Sequence, residues 1–200
     1  MAERKYDRSL QIKTTGLREW GKKETAYNRY EATPYKALDI LFNHYKFKQN
    51  DQVVDFGCGR GRVAFYINHH FDIPVTGVEA HDQTFDEALN NKQAYDKHSK
   101  NNSNVNFVYA LAEQYEVDKE DNCFYFFNPF SLKIFKKVVT NILNSVKTYE
   151  REVDLILYYP LPEFKEFLSF HTPFTMINKI KVPGIHGKYG KFVIYRLSSN

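Results

Sequence analysis

The 200-residue sequence predicts an α/β domain in which strands and helices alternate from an opening helix to a closing pair of strands. Three observations predict it. The first is Val53-Val54-Asp55-Phe56-Gly57-Cys58-Gly59-Arg60-Gly61-Arg62, where β-branched residues lead into an acid, glycines fall at every second position, and an apolar run (Val63 to Ile67) follows at helical spacing. The second is Pro74-Val75-Thr76-Gly77-Val78-Glu79-Ala80, a short apolar strand ending in an acid eighteen residues after Gly61, a separation that suits one helix and a returning strand. The third is Cys123-Phe124-Tyr125-Phe126-Phe127-Asn128-Pro129-Phe130, an aromatic strand that stops at a turn.

In chain order, residues 1 to about 24 carry seven basic and four acidic side chains, which is +3 of the chain's formal +4, and read as a solvated or partly ordered arm whose end docks through Trp20. Thr33 as N-cap and Pro34 as first helical residue open a helix running to about Tyr45. After the glycine turn, Arg62 at a helix start opposes the helix dipole and requires a partner, either an acid such as Glu79 or an anionic ligand. Asp82 is placed to cap a helix to about Lys97, followed by a polar turn and a strand at Val105–Tyr109. Asn128 and Pro129 read as cap and first residue of a helix with an apolar stripe from Leu132 to Leu143. A strand at Val153–Tyr158, a short helix from Glu163, and strands at 174–181 and 191–197 complete the list.

Composition bounds the function classes. An apolar share of 42% allows one core, and 17 Phe with 15 Tyr are abundant for core or for a flat-ligand pocket. A net charge of +4 is too weak to argue for nucleic acid by itself. Two cysteines, one inside the glycine turn, point to a reducing, cytoplasmic setting, and no run approaches membrane-spanning length. His69 and His70 are adjacent and diverge, and no spacing of Cys and His matches a metal site.

Three glycines within five residues indicate a backbone turn that something small approaches. A dinucleotide site would need its third glycine where Arg62 stands. The D-x-G-x-G-x-G spacing of Asp55, Gly57, Gly59 and Gly61 instead resembles the first motif of class I S-adenosylmethionine-dependent methyltransferases. The resemblance covers about residues 27 to 197. It implies a three-layer α/β/α sandwich around a seven-stranded, mostly parallel sheet whose last strand is antiparallel, a Rossmann-like fold, with residues 1–26 as an arm and 27–200 as the cofactor-binding domain.

The resemblance further implies S-adenosylmethionine as cofactor, held by Asp55, Gly57, Cys58, Gly59, Gly61, Glu79 and Ala80, with Glu79 on the ribose, Asp55 facing the ammonium and the N–H groups at the start of the helix on the carboxylate. Ala110 and Leu111 would border the adenine, although Leu111 stands where an acid is usual. Tyr30 and Thr33, with Arg29, would close over the cofactor. Asn128 and Phe130 fall where amino-group methyltransferases carry Asp/Asn-Pro-Pro-Tyr/Phe, so they are the expected catalytic pair, Asn128 orienting an acceptor nitrogen and also contacting the cofactor, and Phe130 stacking on it; the second proline is absent. If a base is required, His186, Tyr158 and Glu113 are available. The acceptor, whether small molecule, protein or RNA, is not specified, and two other readings stay open: a noncatalytic cofactor-binding sensor or scaffold, and an RNA methyltransferase using the basic arm.

Overall fold

The computed structural model describes residues 2–16, 31–98, 103–184 and 190–199. Its elements are α1 (Ala2–Ser9), α2 (Tyr35–His44), β1 (Val53–Phe56), α3 (Arg62–Phe71), β2 (Val75–Glu79), α4 (Asp82–His98), β3 (Val105–Tyr109), β4 (Cys123–Phe126), α5 (Leu132–Thr148), β5 (Val153–Tyr158), α6 (Pro162–His171), β6 (Thr175–Lys181) and β7 (Lys191–Leu197), with one 3-10 turn at Ala112–Gln114. They form a seven-stranded sheet in the order β3-β2-β1-β4-β5-β7-β6. β1 to β5 pair in parallel, and β7 runs antiparallel between β5 and β6. The expected architecture is therefore present: mostly parallel, last strand reversed.

The central strands are buried on both faces, so they read as continuous apolar runs, and alternate residues feed two cores. Val53, Val75, Tyr125 and Ile156 pack with α2 and α3, whereas Val54, Phe56, Phe124, Phe126 and Leu155 pack with α5 and α6. Asp55 follows Val53 by two and faces the α2/α3 side. A carboxylate is thus delivered into an apolar layer by strand periodicity alone. Among the described residues, no helix is long and apolar enough to cross a membrane. Both thiols, Cys58 and Cys123, are free and buried.

The N-terminal segment is not the solvated arm that its charge suggested. Residues 2–16 fold onto α2 and α3, with Leu10 and Ile12 in the core. The fastening is Asp7, 4% exposed. Its Oδ2 accepts from the N–H groups of Thr14 (2.7 Å) and Thr15 (3.2 Å), and its Oδ1 from the hydroxyls of Thr14 (2.7 Å) and Tyr35 (2.8 Å). Sequence charge could not separate this acid from its solvated neighbours Arg4, Lys5 and Arg8, which are exposed.

Three caps also differ from expectation. Pro34, not Thr33, holds the cap position of α2, and Glu3 of α1 accepts from the Tyr35 N–H (3.2 Å). His81, not Asp82, receives the first α4 hydrogen bond, from Phe85 N to its carbonyl (2.9 Å). Ser131 rather than Asn128 caps α5, which starts at Leu132. For Thr33 a tertiary contact took the residue that local preference assigned to the helix end: its hydroxyl pairs with that of Tyr125. Trp20 lies outside the described residues.

Replacing Asp7 by Ala leaves two hydroxyls and two backbone N–H groups seeking partners in a closed layer. We expect a loss of about 2–4 kcal/mol in urea unfolding, whereas Arg8→Ala on the exposed side of α1 changes stability by less than about 0.5 kcal/mol.

Candidate functional site

The site is built from the carboxyl ends of β1, β2 and β4, neighbours in the sheet. After β1 the chain takes positive φ at Gly57 (71°), Gly59 (57°) and Gly61 (84°). Here two of the glycines serve packing inside the protein. A Cβ on Gly57 would lie 2.5 Å from the Pro129 side chain, and one on Gly61 would lie 2.6 Å from the Phe107 ring and 2.8 Å from that of Phe65. The close approach expected of a ligand is, at these positions, made by Pro129 and Phe107.

Glu79, at the end of β2, grips this turn. Its Oε2 accepts from the Gly59 N–H (2.9 Å), and its Oε1 from those of Ala80 and His81 (both 2.9 Å). The separation of acid and turn read from sequence therefore corresponds to a real contact. Burial raises the Glu79 pKa, and the three N–H donors oppose that shift. The turn's remaining N–H groups are used too: Gly57 and Cys58 both donate to the Val78 carbonyl (2.9 and 3.1 Å), and Gly61 to Cys58 (2.9 Å). Parallel pairing of β1 with β2 consumes the first two.

Beside the turn is a small hollow lined by Glu31, Ala32, Thr33, Asp55, Gly57, Cys58, Arg62, Val63, Tyr125 and Phe127. Asp55 is 3% exposed, and its Oδ2 has no hydrogen-bond partner among the described residues. Burial and the nearby Glu79 carboxylate push its pKa up to about 8, so at neutral pH it holds its proton. Tyr125 pairs with Asp55 in the β1/β4 register, and its hydroxyl shares a 2.8 Å hydrogen bond with the Thr33 hydroxyl. Thr33 thus reaches the hollow as expected, while its role as a cap is lost.

Arg62 finds acids, but not Glu79. Its Nη1 bonds Glu3 and the Thr33 carbonyl (3.1 Å), its Nε donates to the Thr14 hydroxyl (2.7 Å), and its guanidinium sits 4.5 Å from the centre of the Tyr35 ring. Arg60 bonds Glu87 (2.7 Å) and the Thr15 carbonyl (2.8 Å). The two arginines therefore clasp the N-terminal segment to the glycine turn.

The remaining expected residues divide. Ala110 lies against the turn, its N–H donating to the Glu79 carbonyl (3.1 Å), and Leu111 beside it is 40% exposed at the open end of β3. Asn128 lies in the turn after β4 at φ 43°, next to the Pro129 that abuts Gly57. Phe130 is corrected. It is fully buried against Phe126 in the core beneath α5, because α5 begins only at Leu132 and the preceding turn carries the ring inward. Phe127 lines the hollow instead. Strand alternation could have shown this, since Tyr125 and Phe127 share the face of Asp55 and Phe126 does not. Among the basic candidates, Glu113 packs against α5, where Lys137 lies 3.9 Å away, and Tyr158 is buried with its hydroxyl pKa raised by that burial. Tyr30, Arg29 and His186 lie outside the described residues.

No family model and no curated protein matches the sequence. Solved structures do match. An S-adenosylmethionine-dependent methyltransferase of Methanosarcina mazei superposes with TM-score 0.60 at 14% identity, over 80% of this chain and 98% of that one. An RNA methyltransferase of Salinibacter ruber, solved with S-adenosylhomocysteine, gives 0.57 at 14% identity, over 83% and 92%. The N-methyltransferase NodS of Bradyrhizobium japonicum gives 0.55 at 10% identity, over 82% and 93%.

Two outcomes check the geometry. Gly61→Ala should cost about 2–3 kcal/mol, and appreciably less in a Phe107→Ala background, where the ring it meets is gone; equal costs in both backgrounds would place the strain elsewhere. Asp55 keeps its proton in the folded chain between about pH 4 and 8 while the unfolded chain gives it up, so this residue destabilises the fold increasingly as pH rises through that window. Asp55→Asn should therefore raise the melting temperature of the ligand-free protein by about 4–8 °C at pH 8 and by almost nothing at pH 4. The chain has the fold of the class I S-adenosylmethionine-dependent methyltransferases.

Proposed function

We propose that the protein binds S-adenosylmethionine in this hollow and transfers its methyl group to an acceptor, a nitrogen in the reading favoured by Asn128. The single observation that carries the proposal is Asp55: a wholly buried carboxylate with an oxygen lacking a partner among the described residues, on the wall of a hollow, beside a second carboxylate. Held protonated without a ligand, Asp55 gains by ionising against a cation brought into the hollow, and the cofactor's ammonium is one.

The residues present fit the rest of the molecule. Glu79 Oε2 accepts only one bond from Gly59, which leaves it able to take ribose hydroxyls. Ala80, Ala110 and Leu111 lie at the end of β2 and beyond β3, where the base would be bordered. The bound cofactor would supply a methyl group on a sulfonium, which is its own leaving group. The chain's part is then alignment, which can supply much of a rate enhancement without a strong base. Phe127, facing the hollow, and Asn128, in the turn behind it, are the proposed acceptor contacts, and residues 31–33 the proposed cover. The reducing, cytoplasmic setting read from the cysteines belongs to this proposal. So does the division into an N-terminal segment (residues 1–26) and a cofactor-binding domain (27–200).

The burial of Phe130 favours one competing reading, a cofactor-binding sensor that lacks an acceptor site. Titration calorimetry with S-adenosylhomocysteine should give micromolar binding that Asp55→Asn and Glu79→Ala each weaken by at least about tenfold. Cell extract incubated with methyl-labelled cofactor should then acquire label only with the unaltered protein. Tight binding with no labelling would support the sensor, and no binding would end both readings.

A further inference from the structure

We propose that the outward face of α1 docks single-stranded or looped RNA and that the methyl acceptor is a base of that RNA. The proposal rests on the cofactor reading above and names the class of acceptor.

The observation that carries it is a sorting of charge by the fold. Residues 2–16 hold four basic and two acidic side chains. Both acids are spent inside the protein: Asp7 is buried, and Glu3 pairs with Arg62 and accepts from the Tyr35 N–H. Among the described residues, the ion pairs of this segment are those of Glu3 and Asp7 with Arg62. The four bases, Arg4, Lys5, Arg8 and Lys13, are all exposed. At about 100° per residue, Arg4, Lys5 and Arg8 fall within one arc of about 100° on α1, and Glu3 and Asp7 lie outside it. A segment of mixed charge in the sequence thus becomes a patch of one sign on its solvent side.

The patch also lies beside the hollow. Glu3 bonds Arg62, and Arg62 bonds the Thr33 carbonyl; Arg62 and Thr33 both line the hollow, so the basic face starts one residue from a contact with that wall. Like charges in a row suit a chain of phosphates. A bilayer is a poorer match, because Leu10 and Ile12 are in the core and Tyr6 packs against it, so this segment turns its apolar side inward. The depth of the hollow selects among nucleic acids. Asp55 on its wall is 3% exposed, so an acceptor base has to leave its stack to enter. Loops and single strands of RNA present bases already unstacked, whereas a duplex has to be opened first. Phe127 on the same wall offers a ring on which such a base can stack.

The test is fluorescence anisotropy on the full chain with a labelled single-stranded RNA of mixed sequence, about 16 nucleotides long. It compares the wild type with the triple variant Arg4→Gln, Lys5→Gln, Arg8→Gln and with a control triple, Lys133→Gln, Lys136→Gln, Lys137→Gln, exposed on α5 across the sheet. Wild-type log affinity should fall with log salt at a slope of about −2 to −3, as three or four phosphate contacts on a single strand require. The α1 triple should lose about tenfold or more in affinity at low salt and flatten the slope by about 2, with S-adenosylhomocysteine binding unchanged by calorimetry. The α5 triple should keep both affinities. Methyl label acquired by cell extract should be sensitive to ribonuclease. Equal losses in the two triples would reduce the effect to general charge and overturn the proposal. So would competition by polyglutamate or phosphatidylserine vesicles as strong as that by RNA, duplex DNA bound as tightly as the single strand, or label confined to protein or small molecules. The wild-type slope and the competitors need no variant, so the proposal stays testable if a triple does not fold. Wild-type protein that binds the RNA but not S-adenosylhomocysteine overturns the cofactor reading alone, and the reverse overturns RNA docking alone.

Discussion

The carboxylate of Glu79 accepting three backbone N–H groups is the interaction on which the rest of the site depends. It joins the end of β2 to the turn after β1, and it satisfies donors that left-handed glycine backbone would otherwise leave buried. With the turn held in that shape, Pro129 can close on Gly57 and Phe107 can pass beneath Gly61. The wall of the hollow is therefore a packed protein surface, stiff before any ligand arrives. A preorganised wall loses little entropy on binding.

The second constraint is charge in a dry layer. Strand periodicity sends Asp55 to the α2/α3 face, where burial and Glu79 hold it protonated. Arg62 enters the same region from the first turn of α3, against the helix dipole. A buried arginine is tolerable only with anions beside it. Those anions come from residues far earlier in the chain: Glu3 forms the ion pair and Asp7 stands at 3.9 Å, with Thr14 completing the set. The N-terminal segment is thereby part of the domain's electrostatics, and its removal would strand a buried cation beside the hollow.

Stability and function oppose each other here. A chain selected only for folding would not place a carboxylate with an open valence in its interior, nor set another acid beside it. Other polar groups of this layer are matched, as the Thr33–Tyr125 and Asp7–Tyr35 pairs show. The Asp55 oxygen without a partner among the described residues belongs to a residue that lines the hollow.

The sequence by itself determined the alternation of elements, the glycine turn and the acid at the end of β2, because these depend on short-range spacing: period two for strands, left-handed dihedrals for glycine, and a helix-and-return separation between Gly61 and Glu79. It also placed Asp55 beside the turn. Only the tertiary structure decided where the charges and aromatic rings ended up. Phe130 moved into the core and Phe127 into the hollow, the turn's amides were consumed by Val78, Cys58 and Glu79, and the acids expected in a solvated arm became partners of Arg62. The physical reason is that hydrogen bonds and ion pairs in a buried layer are settled among residues distant in the chain, where burial makes an unmatched group costly and local preference has little weight.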